Sequence, residues 1–186
     1  MNRKKMMMFT VSLLAAFGLA ACSNGGMEEK HGGMDHSKME HSSSGEVPEG
    51  LKEAKNPAYP LGSKTKVKTD HMEGMNGAEG TIAGAYDTTV YAVTYTPKGG
   101  GEKVVNHKWV IHEEIENAGE VSFKKGEEVT LMADHMKGMM GAKATIDSAE
   151  KTTVYMIDYS PANGGEEVKN HKWVTESELS ALIKSE

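Results

Sequence analysis

The sequence predicts a mainly β protein: two tandem small SH3-like open barrels packed together, preceded by a disordered N-terminal tail and closed by a short C-terminal helix. Three observations carry this reading. One segment is written twice, 64 residues apart; within each copy apolar and polar residues alternate; and proline and glycine clusters interrupt the alternation at matching places.

The duplication is gapless. Asp70-His71-Met72-Glu73-Gly74-Met75-Asn76-Gly77-Ala78 recurs as Asp134-His135-Met136-Lys137-Gly138-Met139-Met140-Gly141-Ala142. Thr88-Thr89-Val90-Tyr91 recurs as Thr152-Thr153-Val154-Tyr155, and Asn106-His107-Lys108-Trp109-Val110 as Asn170-His171-Lys172-Trp173-Val174. About half the aligned positions are identical, far beyond chance for segments of this length. The expected organisation is a leader over 1–21, a tail and tether over 22–60, a first module over 61–118 and a second over 119–186.

Within a module, Val90-Tyr91-Ala92-Val93-Thr94-Tyr95 places Tyr91, Val93 and Tyr95 on one strand face, as Tyr155, Ile157 and Tyr159 are placed in the second copy. That face is expected to be core. Pro97 and Gly99 to Gly101 end the strand, as Pro161, Gly164 and Gly165 do later, and the chain returns through Lys108-Trp109-Val110. Shorter strands are expected over 64–69 and 78–84, with counterparts at 128–133 and 142–148. Leu179, Leu182 and Ile183 give residues 176–184 a helical spacing. A module of this size is marginal alone, so the two copies should pack together.

The first 21 residues read as an export signal. Arg3, Lys4 and Lys5 precede an apolar run over 6–19 that is short for a membrane span, and Leu19-Ala20-Ala21-Cys22 follows. Leu-Ala-Ala-Cys resembles the lipobox of bacterial lipoproteins, which implies cleavage before Cys22 and a lipid anchor on its sulfur. Cys22 is the only cysteine, so the chain has no intramolecular disulfide and no thiolate metal cluster. Losing the leader removes three basic residues and no acidic ones, which takes the formal net charge from -6 to -9. That surface repels nucleic acid and anionic headgroups and favours cations.

Between Cys22 and the tether, Met27, His31, Met34, His36, Met39 and His41 alternate in a polar stretch. Thioether sulfur is a soft ligand suited to Cu(I) and imidazole suits copper and zinc, so the mixture favours copper. Methionine has little reason to recur in a solvated spacer with no core to fill. From Ser42 to Pro60 the composition is that of a flexible tether.

His-Met-x-Gly-Met offers the same ligand types inside each module. His71, Met72 and Met75, or His135, Met136, Met139 and Met140, converge on one centre if glycine turns the loop tightly. The competing reading is packing, because methionine fills irregular core gaps and a histidine after aspartate can cap a turn. His107 and His171 are weaker candidates, since strand histidines usually satisfy local hydrogen bonds. His112 has no counterpart; Glu176 replaces it.

Tail, lipobox and paired motifs together resemble the YdhK-type family of Gram-positive lipoproteins, which includes copper-resistance lipoproteins found with copper-exporting ATPases. The resemblance implies copper binding at the outer face of a Gram-positive cell membrane, Cu(I) preferred and Cu(II) allowed, and a functional association with such an exporter. It supplies no ligand set. The expected partners are metal ions and, through Cys22, the membrane, with no nucleic acid; the chain is expected to be a monomer. No nucleophile elbow, His-Glu-x-x-His or phosphate-binding loop is present, so an enzyme is not expected. A different class of function is also open: barrels that recognise cell-wall polymer or a protein through exposed aromatics, with an accessory metal-binding tail.

Overall fold

The computed structural model describes residues 44–182. The leader, Cys22 and the six tail ligands Met27 to His41 lie outside those residues, as does the C-terminal end from Ile183. Among the described residues, no helix is long and apolar enough to cross a membrane.

The described chain is almost entirely β, in the order β1 (Lys52–Glu53), β2 (Lys64–Val67), β3 (Glu79–Tyr95), β4 (Val104–Ile111), β5 (Glu128–Thr130), β6 (Lys143–Ser160), β7 (Val168–Thr175) and β8 (Leu179–Ala181). All eight join one antiparallel sheet. The short strands expected near 78–84 and 90–95 are one 17-residue strand, β3. Nothing between them breaks it: Ala85-Tyr86-Asp87-Thr88-Thr89 contains neither glycine nor proline, and its aromatic and β-branched residues favour extended backbone. The strand bends at register shifts between Ile82 and Gly84 and between Ala92 and Val93. At Gly84 a Cβ would fall 2.7 Å from the Tyr86 ring, so glycine is needed for that close approach.

β3 and β6 pair along their whole length, from Glu79 opposite Ser160 to Tyr95 opposite Ala144. Near the middle, Thr88 faces Thr152, its own equivalent in the other repeat. The repeats are therefore related by an approximate two-fold axis through this pair. β2 and β4 flank β3, and β5 and β7 flank β6.

This pairing interleaves the repeats. One core joins Tyr91, Val93, Tyr95 and Val110 of the first repeat to Val129, Leu131, Met139 and Ile146 of the second. The other joins Val67, Met75, Ala78 and Ile82 to Tyr155, Ile157, Tyr159 and Leu179. Each hydrophobic unit thus takes the C-terminal half of one repeat and the N-terminal half of the other. A third cluster, Val90, Ala92, Val154 and Met156 with Trp109 and Trp173, covers the opposite face of the central strands. The tyrosine face is core as expected, and its reverse side is buried too.

The helix expected over 176–184 is corrected. Residues Glu176–Glu178 form one 3-10 turn and the chain then becomes β8. Leu179 pairs with Val67 and is 1% exposed, so β8 covers the open edge of β2. Burying that residue and pairing that edge outweigh a weak local helical spacing. Ile115 opposite Leu131 is the equivalent bridge in the other unit.

Candidate metal centre

Each Asp-His-Met loop is closed by two successive turns. Met75 N–H donates to the Met72 carbonyl and Ala78 N–H to the Met75 carbonyl, both at 3.1 Å; the second copy uses Met139 to Met136 and Ala142 to Met139 at 3.1 and 2.9 Å. Gly74 and Gly138 adopt φ of 74° and 79°, a left-handed conformation that glycine takes without steric cost. The turns send Met75 and Met139 into the two cores, where both are fully buried, and leave Met140 half-exposed at the surface. Packing, the competing reading of the in-module methionines, describes where Met75 and Met139 sit.

His71 and Met72, and His135 and Met136, lie where the repeats cross. His135 Nε2 meets Glu114 Oε1 at 2.7 Å, and His71 Nε2 meets Glu178 Oε1 at 2.7 Å. A carboxylate only accepts, so Nε2 is the protonated nitrogen of each ring. The indole Nε1 of Trp109 donates to Glu178 Oε2 at 2.9 Å, and that of Trp173 to both Glu114 oxygens at 3.2 Å. Backbone N–H groups of Thr175 and Ile111 also donate to Glu178 and Glu114, and the Thr69 hydroxyl donates to Glu178 Oε1 at 3.2 Å. Burial pushes the Glu178 carboxyl up, but the hydrogen bond and charge of His71, with the donors on Thr175 and Trp109, outweigh it and hold the group at about 2.

With Nε2 committed, the other ring nitrogen is the informative atom. Nδ1 of His71 and Nδ1 of His135 are both buried and have no hydrogen-bond partner. Such orphaned polar atoms are rare in folded proteins. Beside them, the Tyr95 hydroxyl donates toward Met136 Sδ at 3.9 Å and the Tyr159 hydroxyl toward Met72 Sδ at 3.5 Å. Burial raises both phenols, Tyr95 to about 12, so they remain donors at neutral pH.

The weaker candidates join the same place. The His107 ring stands perpendicular to Tyr95 at 6.0 Å and tilted to His135 at 6.4 Å, and His171 stands perpendicular to Tyr159 at 5.7 Å. His107 and His71 also line one open pocket of about 230 Å³ with Asp70 and Asn106. Asn106 and Asn170, at φ of 53° and 50°, turn the chain just before each of these histidines. Among the described residues, no three histidine, cysteine or carboxylate side chains gather as a metal cluster; the assembled types are imidazole and thioether.

Glu114, Glu178, Tyr95 and Tyr159 escaped the motif reading. The signal was present, because Glu114 and Glu178 keep the 64-residue offset while the neighbouring positions change. His112 serves elsewhere: it bonds the Tyr91 hydroxyl at 2.9 Å and the Gly119 carbonyl at 2.7 Å, and Glu176 takes over the first role at Tyr155. Tyr91, Tyr95, Tyr155 and Tyr159 are all 0 or 1% exposed, which removes the aromatic platform that a wall-binding surface was expected to use.

The chain matches a family described as "Protein of unknown function (DUF1541)" twice, over residues 61–112 and 125–176. The uncharacterized protein YdhK of Bacillus subtilis strain 168 is 55% identical over 175 residues, which is 91% of this chain and 85% of the relative. A crystal structure of ydhK, a DUF1541 family protein of the same organism, superposes with a TM-score of 0.73 at 61% identity, covering 80% of this chain and 97% of that one. A solution NMR structure of the ydhK C-terminal domain gives 0.63 at 61% identity, covering 66% and 93%.

Proposed function

The chain belongs to the DUF1541 family, and we propose that it is a lipid-anchored copper-binding protein of the extracellular face of the cell membrane, which sequesters copper and so contributes to copper resistance. One observation carries the reading: imidazole and thioether are combined in the tail sequence and again, twice, in the folded part, at His71 with Met72 and at His135 with Met136. A zinc or calcium protein has no use for thioether, whereas Cu(I) prefers it. The lipobox supports export and anchoring through Cys22; residues 51–60, expected as tether, belong to the folded part through β1 and the packing of Leu51 and Tyr59, so the polar stretch before Leu51 is the tether that holds that part off the membrane. In this reading each composite unit is a small SH3-like barrel that serves as scaffold and not as an enzyme. The protein acts as a monomer, and a copper-exporting ATPase works beside it from the other side of the membrane.

The test is Cu(I) and Cu(II) stoichiometry, by competition with a chromophoric chelator, on the mature soluble form and on a form starting at Glu49. Tight Cu(I) binding by the mature form supports sequestration. Absence of binding by both forms overturns it and returns the barrels to the interaction-module reading.

A further inference from the structure

We infer that the folded part holds two internal Cu(I) sites, each built from both repeats: Nδ1 of His135, Sδ of Met136 and the His107 imidazole in one unit, and Nδ1 of His71, Sδ of Met72 and the His171 imidazole in the other. The inference rests on the copper reading above and goes further by assigning ligands, stoichiometry and a structural consequence.

A histidine that binds metal commonly donates its other ring N–H to a carboxylate, which fixes the tautomer and leaves the remaining nitrogen as the donor atom. His135 with Glu114 and His71 with Glu178 have this wiring. The histidine side chains are 5% and 9% exposed, and each free nitrogen is buried with no partner. A turn-capping histidine would place that nitrogen on a backbone group or in water. Instead, the adjacent residue supplies a thioether, and the strand opposite supplies a second imidazole, His107, whose ring lies 6.4 Å from that of His135. This separation is of the order spanned when one ion sits about 2 Å from a nitrogen of each ring. Two imidazoles and one thioether form a neutral, soft set of low coordination number, which suits Cu(I).

The tyrosines agree with this assignment. Tyr95 touches both other components, its ring perpendicular to that of His107 and its hydroxyl toward Met136 Sδ. It therefore orients the sulfur. The open pocket shared by His71 and His107 supplies a polar approach to this region from solvent.

Because His107 and Tyr95 come from the first repeat and His135 and Met136 from the second, a bound ion ties the repeats together. Metal that binds only the folded state adds stability by mass action.

The experiment uses the full mature chain with Met27, His31, Met34, His36, Met39 and His41 all changed to Ser, so that the tail is silent. The expected result is two Cu(I) equivalents, sulfur and nitrogen scatterers by X-ray absorption, and a thermal midpoint that rises on loading. Met72→Leu and Met136→Leu conserve volume and should keep the fold; each is expected to remove about one equivalent while the apo midpoint stays nearly unchanged. If the wild-type chain binds Cu(I) and the tail-silent chain binds none, the internal sites are overturned and sequestration by the tail stands. If both bind but Met72→Leu with Met136→Leu leaves stoichiometry and affinity intact, the ligand assignment is overturned. Absence of binding by the wild-type chain overturns both readings.

Discussion

Glu178, four residues beyond the last motif of the second repeat, meets His71 of the first at 2.7 Å across 107 positions of sequence. Glu114 and His135 repeat the pair at the same 2.7 Å with the roles of the repeats reversed. The buried Glu114 and the part-buried Glu178 thus pin each half of the molecule to the other, and each also accepts from the core tryptophan of the same repeat as its histidine, Trp173 and Trp109 respectively.

Removing one of these carboxylates should cost far more than a surface ion pair. Glu114 is 4% exposed, and Glu114→Ala strands His135 Nε2, Trp173 Nε1 and the Ile111 N–H together. The expected loss is about 3–5 kcal/mol in urea unfolding, against about 1–2 kcal/mol for Glu114→Gln, which retains an acceptor oxygen. Equal, sub-kilocalorie losses for both would mean that the network adds nothing to stability.

Acid should weaken the Glu178 side of the molecule over a defined range. Its carboxyl sits at about 2 when folded and near its ordinary 4.5 when unfolded, so the unfolded chain takes up the proton first as pH falls. The stabilisation is complete above 4.5 and is lost progressively toward 2. After allowance for partial contact with solvent it amounts to on the order of 2 kcal/mol. Unfolding free energies measured from pH 6 to pH 2.5 should fall more steeply for wild type than for Glu178→Gln; parallel curves would remove Glu178 from the acid response.

Much of the fold was legible because period-two alternation and a gapless repeat are local signals. Tyr91, Val93 and Tyr95 announce a buried strand face in any context. Which repeat supplies the other half of that core is not local: Tyr95 packs in one cluster with Ala144 and Ile146, and nothing in either segment names its partner. The C-terminal strand failed for the same reason, since Leu179 is a strand residue only because Val67 leaves an edge to fill. At the site, His71, Met72, His135 and Met136 were visible as residue types. Glu114 and Glu178 were not, because a carboxylate becomes informative only when an imidazole and an indole converge on it.

Interleaved cores predict that neither repeat folds by itself. Fragments 44–118 and 119–182 should each lack cooperative unfolding and give unfolded circular dichroism, because each leaves half of two cores exposed. Mixed one to one, they should regain the β signal and a sigmoidal melt. A fragment that melts cooperatively on its own would show that the shared cores are dispensable.

The tail can be separated from the folded part by ligand softness. Replacing Met27, Met34 and Met39 by Leu removes three thioethers and leaves His31, His36 and His41 in place. In a peptide covering residues 23–47, Cu(I) affinity should fall by at least about tenfold, while Zn(II), which takes imidazole and gains little from thioether, should change by less than about threefold. The reciprocal change, His31, His36 and His41 to Asn, should weaken both ions. Equal losses of Cu(I) and Zn(II) in the methionine variant would contradict thioether ligation, because only a general disturbance of the segment acts on both ions alike.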